Sequence, residues 1–322
     1  MSSVSSERPI TVYGAIAANT VIAVSKFAAG ITTGSSAMLS EGIHSVVDTG
    51  NQLLLLLGIH RSKRPADELH PFGHGKELYF WSLIVAILLF GLGGGMSIYE
   101  GITHLEHPAV IQDPTWNYVV LGIAFVAEGA SWAIAWKKLL DNRKQGQGLW
   151  QVLRASKNPA VFVVVAEDSA ALAGIFVAFL GVLLGHSLQN PYLDGAASIV
   201  IGLILAAVAG FLAYESRDLL VGEAADADVL QSVRRLAEAD PAVVGVSRPL
   251  TMHFGPEQVL LNLDIDFRPD LSAAEITAAV DRLEAGIRED RPSIKRIFIE
   301  TEALRGDRQF DRPDVNALEM KD

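Results

Sequence analysis

In the stretch SEGIHSVVDTGNQ, Glu41, His44 and Asp48 are separated by three and then four residues. That spacing places all three side chains on one face of a helix. A helix that only needed burial would carry Leu or Ala at those positions. Further along, AEDSAALAG sets Glu167 and Asp168 side by side, with NPAVFVVV before them and IFVAFLGVLLG after. An ionisable side chain at the centre of a membrane helix costs roughly 2.5–3.5 kcal/mol. Glu128, in a third apolar run, adds another. A hydrogen bond between His44 and Asp48 would explain one such pair as interhelical glue. Clustered carboxylates need more, because they repel one another unless a cation or protons lie between them. Imidazole with carboxylates suits a divalent metal such as zinc, or harder ions as the oxygen share rises. A cation site in mid-membrane points to transport. A second cluster, ADELHPFGHGKE, holds Asp67, His70 and His74, with Gly73 and Gly75 permitting a tight backbone.

These residues need six membrane-crossing elements to position them. Apolar runs long enough to cross about 30 Å of hydrocarbon extend over 11–33, 37–59, 78–104, 116–138, 159–186 and 192–214. The connections alternate in charge. HRSKRPADELHPFGHGK and KKLLDNRKQGQGLWQVLRASK are rich in Lys and Arg, whereas TTGSS, HLEHPAVIQDPTW and HSLQNPYLD have neither. The basic loops and both termini are therefore expected to be cytoplasmic. Trp116, Tyr118, Trp132, Trp136 and Trp150 sit close to span ends, as interfacial anchors do. GLGGG at 91–95 predicts close helix approach or a bend. His60, His104, His107 and His186, at span ends or in loops, carry no expected role.

After Gly222 the pattern changes. DADVLQSVRRLAEADPAV has helical periodicity, QVLLNLDIDF alternates with period two, and SAAEITAAVDRLEAGIRED reads as a Ser-capped amphipathic helix with Glu275 close behind. IKRIFIETE closes as a strand. Helix, two strands, helix and strand predict a ferredoxin-like α+β domain. The organisation expected is an α-helical membrane protein: a six-helix transmembrane transport domain over 1–222, a cytoplasmic ferredoxin-like domain over 223–303, and a disordered tail over 304–322.

Composition narrows the partners. The 322 residues are half hydrophobic and include no cysteine, which excludes disulfides and thiolate metal sites. Mean hydropathy is +0.30. From Glu223 onward there are 21 acids against 13 bases, so most of the net charge of −11 lies there. That balance argues against nucleic acid and permits cations. No phosphate-binding glycine loop is legible, so neither ATP nor an organic cofactor is expected. No nucleophile with a base partner is legible either, which disfavours an enzyme.

An H-x-x-x-D pair in the second span, HPFGHGK-x-E entering the third, six spans and an α+β tail domain together resemble the cation diffusion facilitator family, over residues 11 to about 303. The resemblance implies a homodimeric antiporter in a lipid bilayer that exports cytoplasmic Zn2+, or another divalent metal, in exchange for protons. For this chain a bacterial cell membrane is the expected location. By the same resemblance His44 and Asp48 form half of the transport site, and Asp67, His70 and His74 match a second metal-binding site. Lys76 falls where the family forms a charge interlock at the dimer interface, with Asp218 a candidate partner.

Two departures follow. The family's fifth span usually carries His or Asp, then Asp four residues later; here Glu167 takes the first position and Ala171 the second. Adjacent helix residues diverge by about 100°. Either Glu167 binds while Asp168 serves as proton site or ligand support, or the helix is irregular there. This loosens the preference for zinc and leaves Mn2+, Fe2+, Co2+ or Ni2+ open. It also motivates the rival reading of a non-transporting metal sensor or scaffold with a degenerate fifth-span site. In the tail domain, His253 stands alone where relatives carry several histidines, and Asp264, Asp266, Glu300 and Glu302 read equally well as a solvent-facing polar edge.

Overall fold

Apolar runs in lipid must satisfy their own backbone groups, which they do as helices. The computed structural model describes residues 9–109, 111, 113–141 and 159–301. Among these residues six helical spans form one bundle: α1 (Pro9–Thr33), α2 (Ser36–Ser62), a composite third span, α5 (Thr115–Asp141), α6 (Pro159–Ser187) and α7 (Tyr192–Val221). The third span consists of α3 (Glu77–Leu88), a π-helical segment (Leu89–Gly95) and α4 (Met96–Glu106). The third span, Thr115–Lys137, Phe162–Ser187 and α7 are each long and apolar enough to cross a membrane. In α2, Glu41, His44, Asp48 and Asn51 dilute the apolar run, and all four are buried. One apolar core runs through the bundle, from Ile22 and Met38 to Tyr79, Leu121, Phe162, Ile201 and Leu212.

GLGGG provides both the irregularity and the close approach expected of it. The π-helical segment covers it, and Gly94 packs on α7. A Cβ on Gly101 would lie 2.7 Å from the Gly195 carbonyl oxygen, and one on Gly202 would lie 2.7 Å from that of Gly94. Glycine on both sides is what lets these antiparallel helices touch backbone to backbone.

At the start of α7, Asp194 is buried and caps α2. Its carboxylate accepts from Ser35 Oγ at 2.6 Å, Ser36 N at 2.5 Å and Ala37 N at 3.3 Å. A carboxylate on free N–H groups at a helix start is favoured by hydrogen bonding and by the helix dipole. His104, taken from the sequence as a bland loop-side residue, is instead buried on α4, with Nε2 3.7 Å from Asp194.

The second compact unit comprises almost all residues after Gly222. It runs α8 (Ala227–Glu238), β1 (Val243–Val246), β2 (Leu250–Gly255), β3 (Gln258–Phe267), α9 (Ala273–Asp290) and β4 (Ile294–Thr301). β3 pairs with β4 in parallel from Val259 to Ile265 and with β1 antiparallel through Ile265–Phe267. Val259, Leu261, Leu263, Ile265 and Phe267 all face the core, where Val233 of α8 and Leu283 and Ile287 of α9 cover them. The capping box at α9 is present, with Ser272 and Glu275 exchanging bonds. One element exceeds expectation: α8 stops before Pro241, and β1 (Val243–Val246) forms just beyond it, starting at Val243, the last residue of the stretch DADVLQSVRRLAEADPAV read from sequence as helical. Pro241 and the Asp240 side chain, which accepts from Ala242 N at 2.9 Å, break the helix there. The expected tail (304–322), Glu302 and Trp150 lie outside the described residues.

The glycine contacts give a test. Gly101→Val should force the third span and α7 apart and lower stability by roughly 1–3 kcal/mol or more. A thermal melt of the purified protein in detergent checks this, and an unchanged midpoint would contradict the packing.

Candidate functional site

The spacing of three and four along α2 does bring Glu41, His44 and Asp48 to one buried face, each no more than 6% exposed. Their surroundings differ. Glu41 Oε2 is paired with Lys26 Nζ of α1 at 2.9 Å, and the same ammonium donates to Ser45 Oγ at 2.8 Å. Both ring nitrogens of His44 are without a hydrogen-bond partner among the described residues. Asp48 Oδ2 accepts from Gln52 Nε2 at 3.2 Å, and Gln52 Oε1 accepts from Asn19 Nδ2 of α1 at 3.3 Å.

Across from this face runs α6, a regular helix through both of its acids. The 100° between neighbours sends them in different directions. Glu167 faces α2: its Oε1 accepts from Asn51 Nδ2 at 2.7 Å, and its carboxyl meets that of Asp48 within hydrogen-bonding range. Two carboxyls at that range must share a proton or a cation. Asp168 faces α5, where its Oδ2 accepts from Ser131 Oγ at 2.8 Å and Glu128 lies close enough to repel it. Ala171, at the position where the resemblance would put another acid, is buried. Asp48 and Glu167 are thus brought together, His44 stands one turn along α2, and Asp168 accepts its hydrogen bond from α5 while staying near enough to both carboxyls to repel them.

The loop after α2 holds the other cluster. Asp67 Oδ1 accepts from the His70 backbone N–H at 2.6 Å and lies 3.2 Å from His70 Nδ1; its Oδ2 lies 2.9 Å from His74 Nε2. Gly73, at φ +88, turns the chain so that the two rings meet tilted at 40°, with centroids 4.2 Å apart. One donor atom from each of the three residues lies within 4.8 Å of the others; among the described residues no three intramembrane His, Asp or Glu side chains meet so closely. Lys76, at the end of this loop, donates to the Leu220 carbonyl at 3.1 Å, two residues beyond Asp218.

Two residues with clear structural roles went unread in the sequence. Lys26 was legible as the lone cation inside an apolar run, as anomalous in lipid as the acids. Asn51, three residues after Asp48, lies on the same helical face.

The hydrogen bonds from His74 and from the His70 backbone push the Asp67 carboxyl down to about 2, from a usual value of 3.8. A carboxyl whose folded pKa is depressed stabilises the loop above the usual value, and that support is lost as pH falls towards 2. Carbon-detected NMR on the Asp67 carboxyl should therefore show it ionised at pH 3.5, and a midpoint near 4 would contradict the geometry.

Comparison with known proteins gives the family. Residues 12–221 match the family model of the cation efflux transmembrane domain. The chain is 36% identical over 243 residues to the proton-coupled zinc antiporter SLC30A9, mitochondrial, of Xenopus laevis, covering 75% of this chain and 44% of that protein. It is 32% identical to metal tolerance protein C4 of Arabidopsis thaliana, covering 81% of this chain and 57% of that one. Manganese efflux system protein MneP of Bacillus subtilis is more distant, at 25%, but is matched over 90% of this chain and 92% of its own length. The chain spans less than half the length of the SLC30A9 relatives it matches. With the family model covering nearly all of its helical bundle, the chain belongs to the cation efflux, or cation diffusion facilitator, family of membrane transporters.

Proposed function

We propose that this protein moves a divalent metal cation out of the cytoplasm in exchange for protons, with the metal held between α2 and α6. The observation that carries the reading is the meeting of the Asp48 and Glu167 carboxyls beside a His44 whose two ring nitrogens are unpartnered. Three protein donors of this kind satisfy a dication, and protons replace it when it leaves, because both compete for the same lone pairs. Asn51 and the Asn19–Gln52 chain orient the two carboxylates, as polar supports behind metal ligands do. In this reading Asp168 is a proton site or a ligand support.

The loop cluster of Asp67, His70 and His74 is proposed as a second metal site on the cytoplasmic side. The basic loops support that sidedness through the positive-inside rule. Alternating access would carry the first site between the two faces of the membrane. A homodimer is part of the proposal. Zinc is the cargo named for SLC30A9. The oxygen-rich set around Glu167, with Ala171 in place of a further acid, supports a second reading in which Mn2+ or another harder ion is preferred. The membrane that houses the protein follows its host; the SLC30A9 relatives carry the word mitochondrial in their names.

Reconstituted vesicles test the proposal. Zn2+ uptake should follow an imposed proton gradient, stop when the gradient is collapsed, and be abolished by Asp48→Asn. Transport indifferent to the gradient, or unaffected by Asp48→Asn, would sink it. Glu167→Gln should weaken Zn2+ binding more than Asp168→Asn. The latter should shift the pH dependence of flux and cost about 10–100-fold at most, the range for a residue that supports a ligand. Calorimetric affinities decide between the two, and wild-type affinity in Glu167→Gln would remove that residue from the site. Ala171→Asp should raise the ratio of Zn2+ to Mn2+ uptake; an unchanged ratio removes Ala171 as a selectivity determinant.

A further inference from the structure

The Lys26–Glu41 pair is fully buried inside the bundle and takes no part in the site proposed above. Glu41 precedes Asp48 by seven residues on α2, two helical turns or about 10 Å along the axis. Gly174 follows Glu167 by seven on α6, which puts it at the same level. There the helix surface is cut away for the acid: a Cβ on Gly174 would collide with Glu41 Oε1. That oxygen is buried and has no hydrogen-bond partner among the described residues, while the other oxygen is held by Lys26. His44, also unpartnered, lies one turn from Glu41 and one turn from Asp48. The three residues form a file along α2, with a tethered ammonium at one end and the Asp48–Glu167 contact at the other.

A buried carboxylate with one oxygen satisfied and the other free is poorly suited to a purely structural role, because the unmet oxygen keeps its desolvation cost. We propose that Glu41 is an exit-side ligand for the divalent cation, reached from the transport site by way of His44, and that Lys26 is a built-in cation holding it closed while no metal is there. Under the topology of the proposed function, on which this inference rests, Glu41 lies on the outer side of Asp48 and Glu167. A dication stepping onto Glu41 displaces the ammonium to Ser45, which already accepts from it. When the metal leaves, Lys26 returns and neutralises the carboxylate, so the exit position does not stay charged and open.

The test uses the full chain, with Zn2+ as probe, in proteoliposomes for transport and in detergent for calorimetry. Glu41→Gln should keep the wild-type Zn2+ affinity of the transport site while slowing uptake by at least about tenfold, as loss of a supporting ligand typically does. Lys26→Met should bind one more Zn2+ per chain than wild type, since Glu41 is then open. The double variant K26M/E41Q removes both charges and leaves none unpaired. It should stay as slow as Glu41→Gln and lose the additional Zn2+. It also carries the test if either single variant fails to fold. A pair that merely ties α1 to α2 predicts the reverse: a double variant at the wild-type rate, since replacing a buried ion pair by neutral groups is often harmless. That result, or a Lys26→Met protein with no additional Zn2+, overturns the proposal. Asp48→Asn separates this failure from that of the transport reading: if it transports normally, the site between α2 and α6 is wrong and the exit ligand falls with it.

Discussion

A carboxylate inside hydrocarbon has no water to fall back on, so each must be met by a fixed donor, a fixed cation, or something that comes and goes. In this bundle the acids divide along that line. Asp194 is met by the N–H groups and hydroxyls at the start of α2, and Glu41 by Lys26. Asp168 is met by Ser131. Asp48 and Glu167 are met chiefly by each other, with Gln52 and Asn51 behind them. That last pair demands a shared proton or cation, because two carboxyls in contact cannot both stay charged without one, and Glu128 of α5 is buried as well. The helix choices at the other positions read as the means of keeping that demand confined to one place.

The backbone is arranged to serve the same confinement. α6 passes through Glu167 and Asp168 without a break, so the ordinary 100° step of a helix separates the acids and gives each a different neighbour. Irregular backbone lies instead in the third span, where the π-helical segment over Leu89–Gly95 sits among glycines that pack on α7. Neither helix of that pair carries a residue of the proposed site. The pair is held mainly by backbone contact at its glycines, with His104 of α4 and Asp194 of α7 3.7 Å apart as a polar contact between them.

Outside the bundle the same donor types behave differently because water is available. Asp67 is exposed and still holds two histidines around it, since a turn at Gly73 folds the loop back on itself. Its carboxyl is stabilised by hydrogen bonds, and no compensating charge is required to keep it there. In the second unit, His253 is buried with its backbone N–H on the Glu223 carbonyl at 3.0 Å. Asp264 and Asp266 alternate with the apolar core positions of β3, as acids on the open face of a strand do.

Much of this was legible in the residues. Spans of the right length, the three-four spacing on α2, the alternating strand QVLLNLDIDF and the Ser272–Glu275 cap each depend on neighbours within a few positions, and local spacing is what a sequence displays. β1 was missed because four residues after a helix break carry too little pattern to separate them from the helix before. The 100° divergence at Glu167 and Asp168 was also local, and so was readable as a problem. Its resolution was not: that Glu167 faces Asn51 and Asp48 while Asp168 faces Ser131 depends on which helices stand beside α6. The same holds for Lys26 with Glu41, 15 residues apart, and for Asp194 with Ser35, 159 apart. The sequence by itself determined which side chains could not rest in lipid alone. Only the tertiary structure decided which of them satisfy one another, because that pairing is set by helix neighbours and their rotation, which no local period encodes.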